Sequence, residues 1–233
     1  MASLIPVPDR LVVLTFDDAV SNHATFVGPL LKTYGFGATF YVCEFPPDFE
    51  TNKQQYMTWE QIRGLADAGF EIGNHTGHHG FVPELSEAAL REEIAFIENR
   101  CREYGIPKPV TFCYPGCGVA PAALPILKET GYQFARIGSD LPYRPAIDDP
   151  LLVPSFRCDG ESAEPFYRAV EQAKDGNIAV LMFHGTPEFT HPWVNTDPER
   201  FAEYMKYLAD ERFTVIAMRD LALYAGSPAE DRP

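Results

Sequence analysis

The chain has 233 residues, of which 45% are hydrophobic and 22% charged, a composition that predicts a soluble globular protein with a sizeable core. Its 19 Lys and Arg against 33 Asp and Glu leave a net charge of −14. Without a basic cluster, nucleic acid and anionic membranes are excluded as expected partners, because phosphate binding runs on concentrated basic charge.

Strand-like and helix-like segments alternate along the chain. RLVVLTF (10–16) is aliphatic and β-branched, and predicts a buried strand. Residues 22–34 predict a helix that ends at Gly35, and GATFYVC (37–43) a second strand. In MTWEQIRGLADAG, Thr58 and Gln61 have the spacing of a capping box, and Gly69 closes the helix. FEIGN (70–74) predicts a third strand. Ser86 caps a helix over 87–104, whose Ala89, Leu90, Ile94, Ile97 and Cys101 recur at near-helical spacing. VTFCY (110–114) predicts a fourth strand, followed by a helix near 120–130. YQFARI (132–137), LLVPSFR (151–157) and NIAVLMF (177–183) predict three more. Helices near 162–175 and 197–209 follow the last two, the second with Pro198 in its first turn, where proline is tolerated. FTVIAM (213–218) predicts a short eighth strand, and the tail from about 226 to 233 reads as frayed.

Repeated βα units with short connections imply a parallel sheet. Seven or eight of them predict a single domain over 1–233, a barrel closed on itself, with a doubly wound open sheet as the alternative. No apolar run approaches the ~20 residues that span a bilayer. The opening MASLIPVPDR lacks the basic-then-apolar pattern of a secretion signal, so the expectation is an intracellular chain or a trimmed one. Five scattered cysteines (Cys43, Cys101, Cys113, Cys117, Cys158) argue against a disulfide framework and lean toward a reducing, cytoplasmic setting.

Polar clusters close three of the predicted strands: Asp17–Asp18, the run HTGHH (75–79), and His184–Gly185. If the strands are parallel, all three reach one mouth, where α/β folds place their sites. His75 and His79 are spaced i, i+4, and one helical turn would set both toward one ion. His78 would then point roughly 100° away, outside the ligand set. HTGHH contains no carboxylate, so a base has to come from elsewhere, and Asp17–Asp18 is the supplier at hand. Two adjacent buried aspartates are costly unless paired, and a cation relieves that cost. One can bind it while the other takes a proton from water, and composition does not separate the two. The bland readings are a surface histidine patch and a turn-capping aspartate. His184, ending a very apolar run, is either a satisfied core histidine or a general acid. The acid role needs a partner to hold its tautomer, and Asp159 is a candidate. Cys113 and Cys117, spaced C-x-x-x-C, read as packed thiols rather than a soft metal site. His191 and Trp193 lie just beyond His184 in a proline-flanked stretch, either as a sugar-stacking wall or as a packed loop.

The ordered set LTFDD, HTGHH and LMFHG resembles the polysaccharide deacetylase family of carbohydrate esterases, the group with the nodulation-type chitooligosaccharide deacetylase domain. The resemblance implies a distorted (β/α) barrel of seven or eight parallel strands. It implies a divalent metal, usually zinc with cobalt, nickel or iron as alternatives, held by Asp18, His75 and His79. Asp17 would be the general base and His184 the general acid. The reaction would remove an N-acetyl, or an O-acetyl, group from a sugar by hydrolysis, with an acetylated carbohydrate as partner. A non-sugar amide or cyclic imide is the alternative substrate, and a catalytically silent metal- or carbohydrate-binding module a third reading. The chain departs from the family pattern at TFCYPGCG, where Cys113 stands in the place of an arginine that orients the base. Tyr114–Pro115–Gly116 resembles the family's F-x-Y-P variant. Pro115 has no N–H, so Gly116 or Cys117 is the expected oxyanion donor. Arg157, near another strand end, is expected to replace the missing arginine.

Overall fold

A computed structural model of the chain describes residues 4–226. At its centre is β1 (Leu11–Phe16), fully buried. On one side, β2 (Thr39–Val42), β3 (Glu71–Asn74), β4 (Thr111–Cys113) and β5 (Phe134–Arg136) follow in chain order. On the other lie β7 (Ala179–Phe183) and then β6 (Phe156–Arg157). All these ladders are parallel. β7 pairs β1 from Val12 to Phe16, so β2 and β8 (Thr214–Ile216) share the opposite edge: β8 takes Leu11–Val13 and β2 takes Thr15–Phe16. The wedge needs Gly37, two residues before β2. A Cβ there would lie 2.9 Å from the Ala217 nitrogen.

Closure rests on one short stretch. Val153 bridges Arg136 of β5, while Phe156 and Arg157 pair with Leu181 and Met182 of β7. Residues 153–157 therefore join the two edges, and the sheet becomes a distorted (β/α) barrel instead of a doubly wound open sheet. The strand expected over 151–157 is correspondingly broken. Pro150–Leu152 forms a single 3-10 turn, and β6 is only two residues long. Pro150 and Pro154 lack the N–H that a continuous ladder needs.

The helices coat the outside. α1 (Gly28–Tyr34) follows a π turn over His23–Val27 and stops at Gly35, whose φ of 69° suits glycine. The short α2 (Asp48–Thr51) was not foreseen. α3 (Trp59–Asp67) has the expected box: the Thr58 side chain accepts from Gln61 N, and the Gln61 side chain accepts from Thr58 N. Ser86 accepts from Ala89 N to cap α4 (Glu87–Glu103). α5 (Ala123–Thr130), α6 (Glu164–Val170) and α7 (Pro198–Asp210) complete the coat, and α5 and α6 are shorter than expected. None of the described helices is long and apolar enough to cross a membrane. From residue 227 on, the expected frayed tail lies outside the described residues.

Strand alternation decides what faces the lumen. On β1, Val12, Leu14 and Phe16 pack outward against the helices, while Leu11 and Val13 face inward with Val180 and Phe134. Higher in the lumen, Thr39 and Thr111 hydroxyls donate to Glu71 at 2.6 and 2.8 Å, so this buried carboxylate is hydrogen-bonded. One or two more steps along the inward rows place Asp17, His75, Cys113, Arg136 and His184 at the C-terminal mouth.

Candidate active site

The first cluster grows out of the end of β1. Asp17 N still donates to Phe183 O at 3.0 Å, extending the ladder by one bond. Asp18 and Ala19 then take φ of 76° and 52°. Left-handed backbone is uncommon outside glycine and marks a position that its surroundings hold in place. The turn brings both carboxylates to the lumen, buried at 3% and 6% exposure.

His75 and His79 reach the same point by a route the spacing did not reveal. Their segment is a loop, not a helical turn, with Thr76 and His79 at φ of 62° and 55°. Asn74 Oδ1 accepts from Thr76 N at 2.9 Å and Thr76 Oγ1 from Gly80 N at 2.8 Å, which fixes the loop. His75 Nε2 lies 3.5 Å and His79 Nε2 3.6 Å from Asp18 Oδ1. His75 Nδ1 donates to Cys113 O at 2.8 Å, so its Nε2 carries the lone pair. Burial, then the neighbouring His75, pushes His79 down to about 4, keeping it neutral. Burial works to raise Asp18, but hydrogen bonding to His75 and the nearby imidazoles outweigh it and hold the carboxyl well below the usual range. One ionised carboxylate and two imidazoles, with ligand atoms within 4.8 Å of one another, fit a divalent cation of the zinc type. His78 turns away: its N–H and Nδ1 bond the Glu93 carboxylate at 2.7 and 2.8 Å.

Asp17 is held by a residue that sequence reasoning missed. Arg136 Nη2 donates to Asp17 Oδ2, while its Nη1 donates to Ser155 Oγ at 3.2 Å. The arginine is fully buried and lies opposite Cys113 in the β4–β5 register. Its Nη2 is also 2.7 Å from the Cys113 sulfur. The small thiol thus leaves room for a guanidinium from the adjacent strand. Burial pushes the Cys113 thiol up and keeps it neutral. Burial also opposes ionisation of Asp17, but Arg136, followed by His75 and His184, outweighs it and lowers its pKa. The expectation that Arg157 stands beside Asp17 is corrected. Arg157 Nε donates to Asp159 Oδ1 at 2.5 Å, and Nη2 to the Trp193 carbonyl. The available signal was an arginine on the inward row of an apolar strand, FAR, in phase with Phe134.

The third cluster faces the first two. His184 Nδ1 bonds Asp159 Oδ2 at 2.7 Å, and its Nε2 is 3.8 Å from Asp17 Oδ2. Burial lowers the imidazole's pKa, but the Asp159 bond, then the charges of Asp18 and Asp17, raise it to about 9. Beneath it, His23 Nε2 lies 3.1 Å from the His184 carbonyl.

Asp17, Asp18, His75, His79 and His184 line one cavity of about 420 Å³, within the usual size of a small-molecule site. Tyr114 is buried in its side, with its hydroxyl donating to Leu151 O at 3.2 Å. Gly116 and Cys117 make a left-handed turn in which Cys117 N donates to Tyr114 O at 3.0 Å. All five cysteines are free. On the far side, the His191 ring lies 5.7 Å from Phe45 and 5.3 Å from Trp193, which is 64% exposed. Phe45, 4.8 Å from the His79 ring, was not anticipated.

The polysaccharide deacetylase family model matches residues 5–135. The peptidoglycan-N-acetylglucosamine deacetylase of Bacillus cereus is 28% identical over 130 residues, 55% of this chain and 57% of that protein. The chain spans about half the length of the curated relatives it matches. Among solved structures, the Bc1960 peptidoglycan N-acetylglucosamine deacetylase superposes with a TM-score of 0.67 at 17% identity, covering 94% of this chain and 90% of that one. A CE4 family pseudoenzyme from Bacillus anthracis superposes with a TM-score of 0.63 at 18% identity, covering 92% and 66%. At such identities these likenesses show the fold alone. The family match covers more than half of the chain, takes in Asp17, Asp18, His75 and His79 and stops just before Arg136, and the chain belongs to the polysaccharide deacetylase family.

Proposed function

We propose that the chain is a metal-dependent hydrolase that removes an acetyl group, N-linked or O-linked, from a sugar or polysaccharide. One observation carries this reading: Asp18, His75 and His79 share one cavity with Asp17 and His184, each of which is backed by a buried ionic partner, Arg136 and Asp159. Asp18, His75 and His79 would hold zinc, or cobalt, nickel or iron in its place. When bound, the ion supplies Lewis acidity toward water and the acetyl carbonyl.

The protein's own groups divide the remaining work. Arg136 occupies Asp17 Oδ2, while Asp17 Oδ1 has no hydrogen-bond partner among the described residues. Oδ1 is therefore the atom that takes a proton from water. Asp159 fixes the tautomer of His184, so Nε2 presents a proton to the departing amine or alcohol. Arg157 steadies Asp159 from the solvent side. With the Cys117 N–H engaged in its turn, the Gly116 N–H is the donor for the developing oxyanion, beside Tyr114. His191, Phe45 and Trp193 form an aromatic wall for the sugar ring.

The test is acetate release from N-acetylated chitooligosaccharides and O-acetylated xylan, with chelator-treated and zinc-reloaded protein. Zinc-dependent release is the expected result. Hydrolysis of simple amides or cyclic imides without acetate release from any acetylated sugar would overturn the reading.

A further inference from the structure

Glu188 takes no part in the chemistry above, yet its carboxylate is buried, at 3% residue exposure, in the loop that follows His184. Its Oε1 accepts from Gln55 Nε2 at 2.6 Å, Thr190 N at 2.7 Å and His191 N at 3.0 Å. Its own N–H donates to Asn195 Oδ1 at 2.7 Å. The loop is tied down elsewhere too, with Asn22 Oδ1 accepting from Thr186 N and Asn22 Nδ2 donating to Pro187 O. Gly185 lets the loop fold back so tightly, since a Cβ there would lie 2.9 Å from the Glu188 Cα.

The bond to Gln55 reaches a different loop, the one after β2. Tyr56, next to Gln55, stacks on Phe45 at 5.5 Å, and Phe45 contacts both His79 and His191. A single carboxylate oxygen therefore connects the loop bearing His191 and Trp193 to the loop bearing Phe45. A buried carboxylate is costly unless several donors compensate it. Here the donors come from two loops at the cavity rim, not from the barrel core.

We propose that Glu188 is a positioning residue that clamps these two loops into one wall and so sets affinity for the substrate's sugar ring. Its kinetic consequence rests on the deacetylase reading; the clamp itself does not. The test compares Glu188→Ala and Glu188→Gln in the metal-loaded protein, by amide hydrogen exchange over 45–56 and 186–195 and by acetate-release kinetics. Glutamine keeps an acceptor oxygen; alanine removes it. In the alanine variant, exchange is expected to rise in both loops and KM by about tenfold or more, the size of a lost charge-assisted bond. Metal content and kcat should stay near wild type, and the glutamine variant should recover most of the KM. If the alanine variant fails to fold, Gln55→Ala cuts the bond between the loops alone and is read the same way. Unchanged exchange in 45–56, or loosened loops with an unchanged KM, would overturn the proposal. A wild type that releases no acetate from any sugar sinks the deacetylase reading, while coupled exchange of the two loops still decides the clamp.

Discussion

The two oxygens of Asp17 have different fates: Arg136 holds one, and the other is buried without a partner among the described residues. Removing either partner of a buried ion pair leaves an uncompensated charge, which costs about 3–5 kcal/mol. Arg136→Met is therefore expected to lower both Tm and kcat. Arg157→Ala acts through Asp159 and the Trp193 carbonyl, at a half-exposed site, and should lower kcat much less with no loss of Tm. Steady-state kinetics with thermal melts on both variants separates the two arginines. Equal effects would mean that Arg136 does not govern the base. The adjacent aspartates separate in a second way. Asp18→Asn weakens the donor set and should lose metal. Asp17→Asn should keep metal and lose roughly 10²–10⁴ in kcat, the usual size of a general-base contribution. Metal analysis beside kcat, with and without excess zinc, decides between them. His184 carries the pH dependence. Its folded pKa is raised from 6.5 to about 9, so protonation favours the folded state. That contribution is complete below 6.5 and is lost as pH rises toward about 9. In metal-stripped protein, the Tm advantage of wild type over His184→Gln should shrink across that window. An advantage that stays constant from pH 6 to 9 would show that the imidazole is not charged.

At the scale of elements, local chemistry was readable where it depends on near neighbours. The capping box of α3, the Ser86 cap of α4 and the Gly35 stop of α1 all involve residues within a few positions of each other. Thr58→Ala should thus cost about 1 kcal/mol of stability, seen as a lower urea midpoint, with kcat unchanged because the cap lies outside the cavity. A loss of activity at full metal loading would tie α3 to the site. Elements that depend on distant partners were less readable. The stretch 151–157 looked like an ordinary strand, but Pro154 and the preceding Pro150 break it and its two ends pair with different neighbours. The histidine segment looked helical by spacing, and instead side-chain bonds from Asn74 and Thr76 hold it in left-handed turns.

At the scale of the whole molecule, barrel closure gathers polar residues from five strand ends into one mouth. The sequence alone determined the repeating βα pattern and singled out Asp17, Asp18, His75, His79 and His184 as the candidate residues. Those follow from hydrophobic periodicity and from residue types whose burial is costly without a function. Only the tertiary structure decided which charges meet. The Arg136–Asp17 pair spans 119 residues, and it exists because the β4–β5 register sets Arg136 opposite the small Cys113. Register is a property of paired backbones, and a side chain's phase within its own strand does not say which neighbour it will face. The same holds for Glu188, whose three donors come from two loops that are adjacent only after the barrel has closed.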